Sequence, residues 1–349
     1  MNDGQQIRKR VPITSQWSSH WLWIPTLYLT RGLPYVILLM TSLVYYNRMG
    51  LSNGAITLTT SWFFLPFILR PLLGRIVVGY ESKRFWIVLT ECVMALSLVA
   101  SALSVRLDNW FSYSVAAFMV IAIAAALHDV AIERLYNREA LLLKRPAFFG
   151  LRAVSYLLSI IVGMAIPITL AGNLEVINRT VRPAWATLFW ALAVLMIALT
   201  LLHALIWSGV TRQWWHDVTA AFIRRPHYVA NLVFLFCFLI PEGMFIRVAP
   251  LFLIDPGSNG GLALSPQELG LVQGTVGTFA FIAGCGLGIS LVRRDGLQRW
   301  LWFFVMALTL PKFLFVYLSY YFVSTLSIIN ICIIIDYFGA GLGLTTYIV

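Results

Sequence analysis

Nine ionisable side chains fall inside runs of sequence that are otherwise apolar: Arg31, Glu91, His128, Asp129, His203, Glu242, Arg247, Lys312 and Asp336. A charge at the centre of a bilayer costs at least about 2.5–3.5 kcal/mol. Side chains of these types have few uses there. A carboxylate can take up and release a proton or hold a cation. A guanidinium can hold an anionic group. Either can instead pair with a neighbouring helix and lock a bundle.

The stretch LIPEGMFIRVAPLFLID (239–255) carries one charge of each sign. Five residues turn a helix through about 500°, so Glu242 and Arg247 point roughly 140° apart. They do not share a face as an i,i+4 pair does. With Pro241 and Pro250 close by, the segment is expected to bend. Glu242 is the leading proton site, and Arg247 is an anchor for an anionic group of a substrate. The competing reading gives each a partner on another helix. In ALHDVAIERLYNRE (126–139), Asp129 and Glu133 lie one helical turn apart, and Arg138 or Arg152 is within reach across the following loop. This cluster reads equally as a conformational latch or a binding site. Asp129 and Asp336 are secondary titrating groups, and Arg31 is a second anchor for carboxylates. Glu91 and Lys312 are single charges for which pairing across the bundle is expected.

The elements that carry these residues follow from composition. The chain has 349 residues, 60% hydrophobic and 11% charged, with a mean hydropathy of +0.83. Apolar runs of about 20 residues recur along its length, each able to cross a bilayer as a helix. Spans are predicted at 21–46, 54–73, 85–105, 111–132, 151–171, 184–208, 228–254, 267–291, 300–321 and 324–346. No ten-residue alternation of the β-barrel kind is present. Of the 25 Lys and Arg, three (Arg31, Arg247, Lys312) sit deep within spans. Of the rest, eighteen fall at the N-terminus, in alternate loops or, as Arg70 and Arg152, at the span ends beside those loops, and four fall on the other side. The positive-inside rule then puts the N-terminus in the cytoplasm. The net charge of +11 therefore reports topology and not a nucleic-acid partner. Spans 1, 4, 7 and 10 hold six of the nine intramembrane ionisable residues, as expected if every third helix faces a wet central cavity.

Two stretches repeat one another. In GLSNGAITLTTSWFF and ALSPQELGLVQGTVG, a Leu-Ser pair precedes a span, with Ser52 and Ser265 placed as N-caps. ESKRFWIV and GLQRWLWF follow at similar spacing, which suggests a duplicated unit. The organisation read from this is a six-helix half (1–208), an interfacial linker with Trp214 and Trp215 (209–227), and a second half (228–349) of four spans. The chain stops inside an apolar run, so two further spans are expected beyond it. Without them, the glycine-rich faces around Gly284–Gly288 and Gly339–Gly343 are expected to meet lipid. The four cysteines all fall in spans and imply no disulfide framework. They are expected to be buried. No metal-ligand spacing, no dinucleotide loop and no GxSxG arrangement occurs, so no cofactor or metal is expected.

Several segments carry a family resemblance: GLP (32–34), LPFILRPLLG in span 2, HDVAIE in span 4, FIRRP and PEGMFIRVAPLFLID around span 7, and ELGLVQGTVGTFAFIAGCGLG in span 8. In their order and spacing they resemble the major facilitator superfamily, and within it AmpG-type muropeptide permeases and acetyl-CoA-transporter-like proteins. The superfamily's cytoplasmic loop motif is degraded here. Gly74, Lys83 and Arg84 fit it in one repeat, and Gly288, Arg293, Arg294, Gly296 and Arg299 in the other. Val78 and Val292 stand where an acidic residue is expected. The resemblance implies an all-α membrane fold of two six-helix halves. It also implies a monomer in which Lys83, Arg84, Arg293, Arg294 and Arg299 serve gating. It further implies proton-coupled import of a small solute such as an anhydromuropeptide. The alternative is a membrane-embedded acyl or glycosyl transferase, for which His128-Asp129 is the only catalytic candidate.

Overall fold

The protein is seen in a computed structural model that describes residues 13–70, 72, 73, 77, 83–139, 146–206 and 228–348. Among them the regular structure is helical throughout. Followed as continuous rods, the helices are α1 (13–48), α2 (Asn53–Trp62), α3 (Lys83–Ser104), α4 (Trp110–Glu139), α5 (146–178), α6 (Val181–Ile206), α7 (Tyr228–Ile254), α8 (266–295), α9 (297–321) and α10 (Leu326–Ile348). Eight of these, all but α2 and α7, are long and apolar enough to cross a membrane over their described residues. The expected interfacial linker lies outside the described residues.

The expected continuous span 54–73 is broken. α2 stops at Trp62, and a short turn, Leu65–Ile68, follows. Pro66 is the cause, because it has no amide to bond back to Trp62. The two serine caps are as expected. Ser52 Oγ accepts from the Ala55 amide. Ser265 forms a full capping box with Glu268, whose carboxylate accepts the Ser265 amide at 2.8 Å. Gly296 joins α8 to α9 with φ at +83°, a conformation open to glycine at no steric cost.

Three helices contain π-helical turns, at Ile37–Thr41 in α1, Ile161–Ala165 in α5 and Gly270–Gly277 in α8. The turn in α5 has a local reason. Pro167 cannot donate to the carbonyl of Gly163, and that carbonyl instead accepts from Thr41 Oγ1 in the α1 turn at 2.5 Å. The π turns of α5 and α8 lie against each other.

Helices α1–α6 pack on one another, α3 against α4 and α6, and α1 against α4 and α5. Their core is aromatic near the α1–α2 loop, where Tyr45 lies edge-on to Phe189 at 5.1 Å and beside Trp185 at 5.4 Å. Helices α8 and α9 pack on α10. Here the glycine expectation is corrected. Gly284 sits under the Phe338 carbonyl, Gly341 under that of Phe281, and Gly339 under that of Ala307. These faces are closed on each other, since residues without Cβ let backbones approach. Two cysteines, Cys285 and Cys332, are buried as expected, but Cys92 and Cys237 are exposed on the bundle surface.

The two groups of helices meet mainly towards one end, which holds the α1–α2, α5–α6 and α7–α8 loops and is called distal below. There α5 packs against α8. A methyl placed on Gly274 would lie 2.6 Å from Ala165 Cα, and one on Gly172 would lie 2.5 Å from the Gln267 side chain. Asn47 and Asn53 both donate to the Asp255 carboxylate at the end of α7. Among the described residues, side-chain hydrogen bonds joining α1–α6 to α7–α10 run only from Asp255 and Arg247.

Candidate functional site

Two charged clusters face different groups of helices. The first lies between α7, α9 and α10. Pro311 breaks α9, and Lys312 opens its last segment. Its Nζ donates to Asp336 Oδ1 at 2.7 Å and lies 3.2 Å from Glu242 Oε2. The ammonium also sits 4.1 Å above the Phe245 ring, a cation–π contact. One cation thus serves two carboxylates. Asp336 is nearly enclosed, while Glu242 keeps about a quarter of its side chain accessible (27%). This arrangement leaves a carboxylate that can gain a proton without stranding the lysine, because the other carboxylate remains.

The second cluster joins α1, α4 and the segment that follows the Leu65–Ile68 turn. Arg31 pairs through Nε with Asp129 and donates from Nη2 to Glu133 Oε1 at 2.7 Å. Arg70 pairs with the other oxygen of Asp129. Arg31 and Arg152 approach the Tyr28 ring at 5.7 and 4.7 Å. In these ion pairs two guanidiniums, Arg31 and Arg70, meet two carboxylates, Asp129 and Glu133. Arg31, expected as a substrate anchor, is thus an ion-pair partner of the expected titrating group Asp129. A substrate carboxylate would have to compete with Asp129 and Glu133 for it.

Arg247 differs. As the helical angle requires, it points away from Glu242, and the two find separate partners. Its Nη1 donates to Ser61 Oγ at 2.5 Å and reaches Thr60 Oγ1 and the Thr57 carbonyl at 3.4 Å. Its guanidinium lies 4.9 Å from the Phe64 ring centre. These acceptors are all neutral. A groove of about 650 Å³ runs between α2 and α7 beside Arg247, with Thr57, Ser61, Val248 and Asp255 in its wall. It lies away from Glu242 and is widely open, so it is a cleft and not a closed chamber.

The gating candidates are dispersed. Lys83 and Arg84 begin α3, but their side chains lie outside the described residues. Arg293, Arg294 and Arg299 are exposed at the α8–α9 corner. Arg294 and Arg299 lie 3.6 and 3.7 Å from Asp295, which also accepts from Trp300 Nε1 at 3.0 Å. The acidic residue that these arginines approach is thus Asp295, three positions after Val292. His128 and Asp129 are not a catalytic pair, since His128 turns towards Thr30 and Thr90 while Asp129 turns towards Arg31 and Arg70.

Sequence reasoning missed Asp255, which links the two groups of helices, and cast Lys312 as a lone structural charge. The sequence carried signals for both. Asp255 directly precedes Pro256-Gly257, and Lys312 follows a helix-breaking proline. At the distal end Arg48 also binds Glu175 through Nη2 and Nε at 2.6 and 3.0 Å, and Trp185 Nε1 donates to Glu175 at 2.7 Å.

No family model matches the chain, and no curated protein matches it. Among solved structures it is similar to a bacterial homolog of the human lysosomal transporter Spinster, in an inward-facing and occupied conformation. The TM-score is 0.64 at 16% identity, over 97% of this chain and 74% of that one. The chain therefore shares the fold of that structure, an all-helical bundle in which eight of the described helices are long and apolar enough to cross a membrane.

Proposed function

We propose that this protein is a proton-coupled secondary transporter that imports a small solute by alternating access. In this reading residues 1–208 and 228–349 are the two moving halves, and the protein works as a monomer in the inner membrane with its N-terminus in the cytoplasm. The observation that carries the proposal is Lys312 held between Glu242 and Asp336. A proton on Glu242 frees the lysine to Asp336 alone, and loss of that proton draws it back. Such a change alters contacts between α7, α9 and α10, which is what coupling to a rocking motion requires. The bundle's likeness to a transporter structure supports the same reading.

Arg247 is the substrate anchor, because its present acceptors are neutral oxygens that an anionic group can replace at little electrostatic cost. Arg31, paired with Asp129, is the second anchor, opened when Asp129 or Glu133 is protonated. Two such cations suit a solute with more than one carboxylate. AmpG-like motifs make an anhydromuropeptide the first candidate. With the distal end closed, the halves part at the opposite end, where Lys83, Arg84, Arg293, Arg294 and Arg299 would meet in the other state.

The test is an uptake screen in vesicles containing the purified protein, with an imposed proton gradient. Muropeptides, peptides, sugars and acyl-CoA are compared. Gradient-dependent accumulation of one class supports the proposal. Turnover of an acyl or glycosyl donor, with no accumulation, overturns it.

A further inference from the structure

A third polar cluster is sealed within α1–α6, apart from both charged clusters described above. It consists of Glu91 on α3, His128 on α4 and His203 on α6. The three side chains are at most 1% exposed. His203 Nδ1 lies 2.8 Å from Glu91 Oε1, and His128 Nε2 lies 3.7 Å from the same oxygen. Each ring also meets threonines. His203 Nε2 is 3.0 Å from Thr26 Oγ1, His128 Nδ1 is 2.9 Å from Thr90 Oγ1, and His128 Nε2 is 3.3 Å from Thr30 Oγ1.

The hydrogens can be counted. Each threonine hydroxyl has one, and each lies within hydrogen-bond distance of a backbone carbonyl that can accept it: Thr26 of Leu22 at 3.0 Å, Thr30 of Leu27 at 2.9 Å, and Thr90 of Trp86 at 2.7 Å. A hydroxyl so engaged accepts from the imidazole. On that count every ring nitrogen of His128 and His203 faces an acceptor, and the bonds are satisfied best when the rings carry extra protons. Charge sets the other limit. Ionised Glu91 with two neutral rings buries one net negative charge, which is costly. One added proton makes the cluster neutral, and two leave a net positive charge. The other Glu91 oxygen, Oε2, is buried with no hydrogen-bond partner, a further cost to the ionised form.

We propose that Glu91, His128 and His203 form a buried proton-binding site that holds one exchangeable proton. Beyond the cluster, the charges acting on His128 are Asp129 on its own helix and Arg31 of α1, which are paired to each other. Arg70, beyond the end of α2, and Glu133 of α4 are each paired with a member of that pair. The threonine hydroxyls are the switch, since a hydroxyl that turns from its carbonyl to a ring accommodates the deprotonated form. The site joins α3 and α6 to α1 and α4, and its proton state bears on the Arg31–Asp129 pair one residue away.

The test is infrared spectroscopy of the purified full chain, without substrate, with ring-labelled histidine. The chain has five histidines, so His20, His216 and His227 are replaced by Gln to leave His128 and His203 as reporters. The expected result at pH 7 is an imidazolium band, or the C=O band of a protonated Glu91, that falls about tenfold in Glu91→Gln and persists in Glu242→Gln. Should Glu91→Gln fail to fold, the unsubstituted spectrum decides. Two neutral rings with an ionised Glu91 overturn the proposal, as does a band unchanged in Glu91→Gln. Because no transport is measured, either outcome leaves the transport reading to its own test.

Discussion

Gly274→Ala should open the distal end. In the structure a methyl at this position would lie 2.6 Å from Ala165 Cα and 2.7 Å from its Cβ. Carbon atoms in good contact sit about 3.5–4.0 Å apart, so α5 and α8 must separate by about 1 Å. Neighbouring glycine contacts resist a local adjustment, because Gly270 is pressed on Thr169 and Gly172 on Gln267. Overpacking of this kind costs about 1–3 kcal/mol. A state in which α5 and α8 part does not carry that cost, so the closed population should fall about 5- to 150-fold relative to the open one. Spin labels at exposed Asn178 and Asn259, with the four native cysteines replaced by alanine, report the distance between the end of α5 and the α7–α8 loop. A rise of at least about fivefold in the ratio of long to short distances is expected for Gly274→Ala. An unchanged distance distribution together with unchanged thermal stability would refute the reasoning.

Asp255→Ala removes the acceptor of Asn47 and Asn53. Each bond to a charged group is worth about 1.5–3 kcal/mol, so the same spin-label pair should show distal opening. Lys312→Met leaves Glu242 and Asp336 without their cation and should lower stability by about 3–5 kcal/mol; adding Asp336→Asn should restore part of it, as read by thermal unfolding in detergent. Arg48→Met strips Glu175 of its ion pair, leaving only the Trp185 indole. Because Arg48 is over a third exposed (38%), the expected loss is nearer the small value of a surface pair, about 1 kcal/mol. Ser265→Ala breaks the capping box that opens α8 and should cost about 1 kcal/mol.

Much of the bundle was legible because bilayer thickness and side-chain polarity constrain the sequence directly. The spans, the two serine caps and the divergence of Glu242 from Arg247 all follow from spacing along one helix. Partners across helices were not legible in the same way. That Lys312 and Glu91 pair with something is dictated by the energetic cost of isolation. That Lys312 meets two carboxylates and Glu91 two imidazoles depends on which helix lies opposite and at what rotation. Arg70 is counted with the basic residues of one membrane side and instead completes the Asp129 pair, from the segment that follows the Pro66 break. The π turns had no visible signature beyond Pro167, and that the turns of α5 and α8 lie against each other depends on packing between helices. The glycine-rich faces read as places of close approach, but spacing could not tell that α8, α9 and α10 satisfy one another.

Proton coupling through Glu242 is tested most directly by gradient-driven uptake in vesicles, comparing the native protein with Glu242→Gln. The solute is the one returned by the vesicle screen. Both proteins should fold, and both should exchange labelled for unlabelled solute without a gradient. With an inward proton gradient the native protein should concentrate the solute, and Glu242→Gln should only equilibrate it. Concentrative uptake by Glu242→Gln equal to that of the native protein would contradict the role given to Glu242 and its shared lysine.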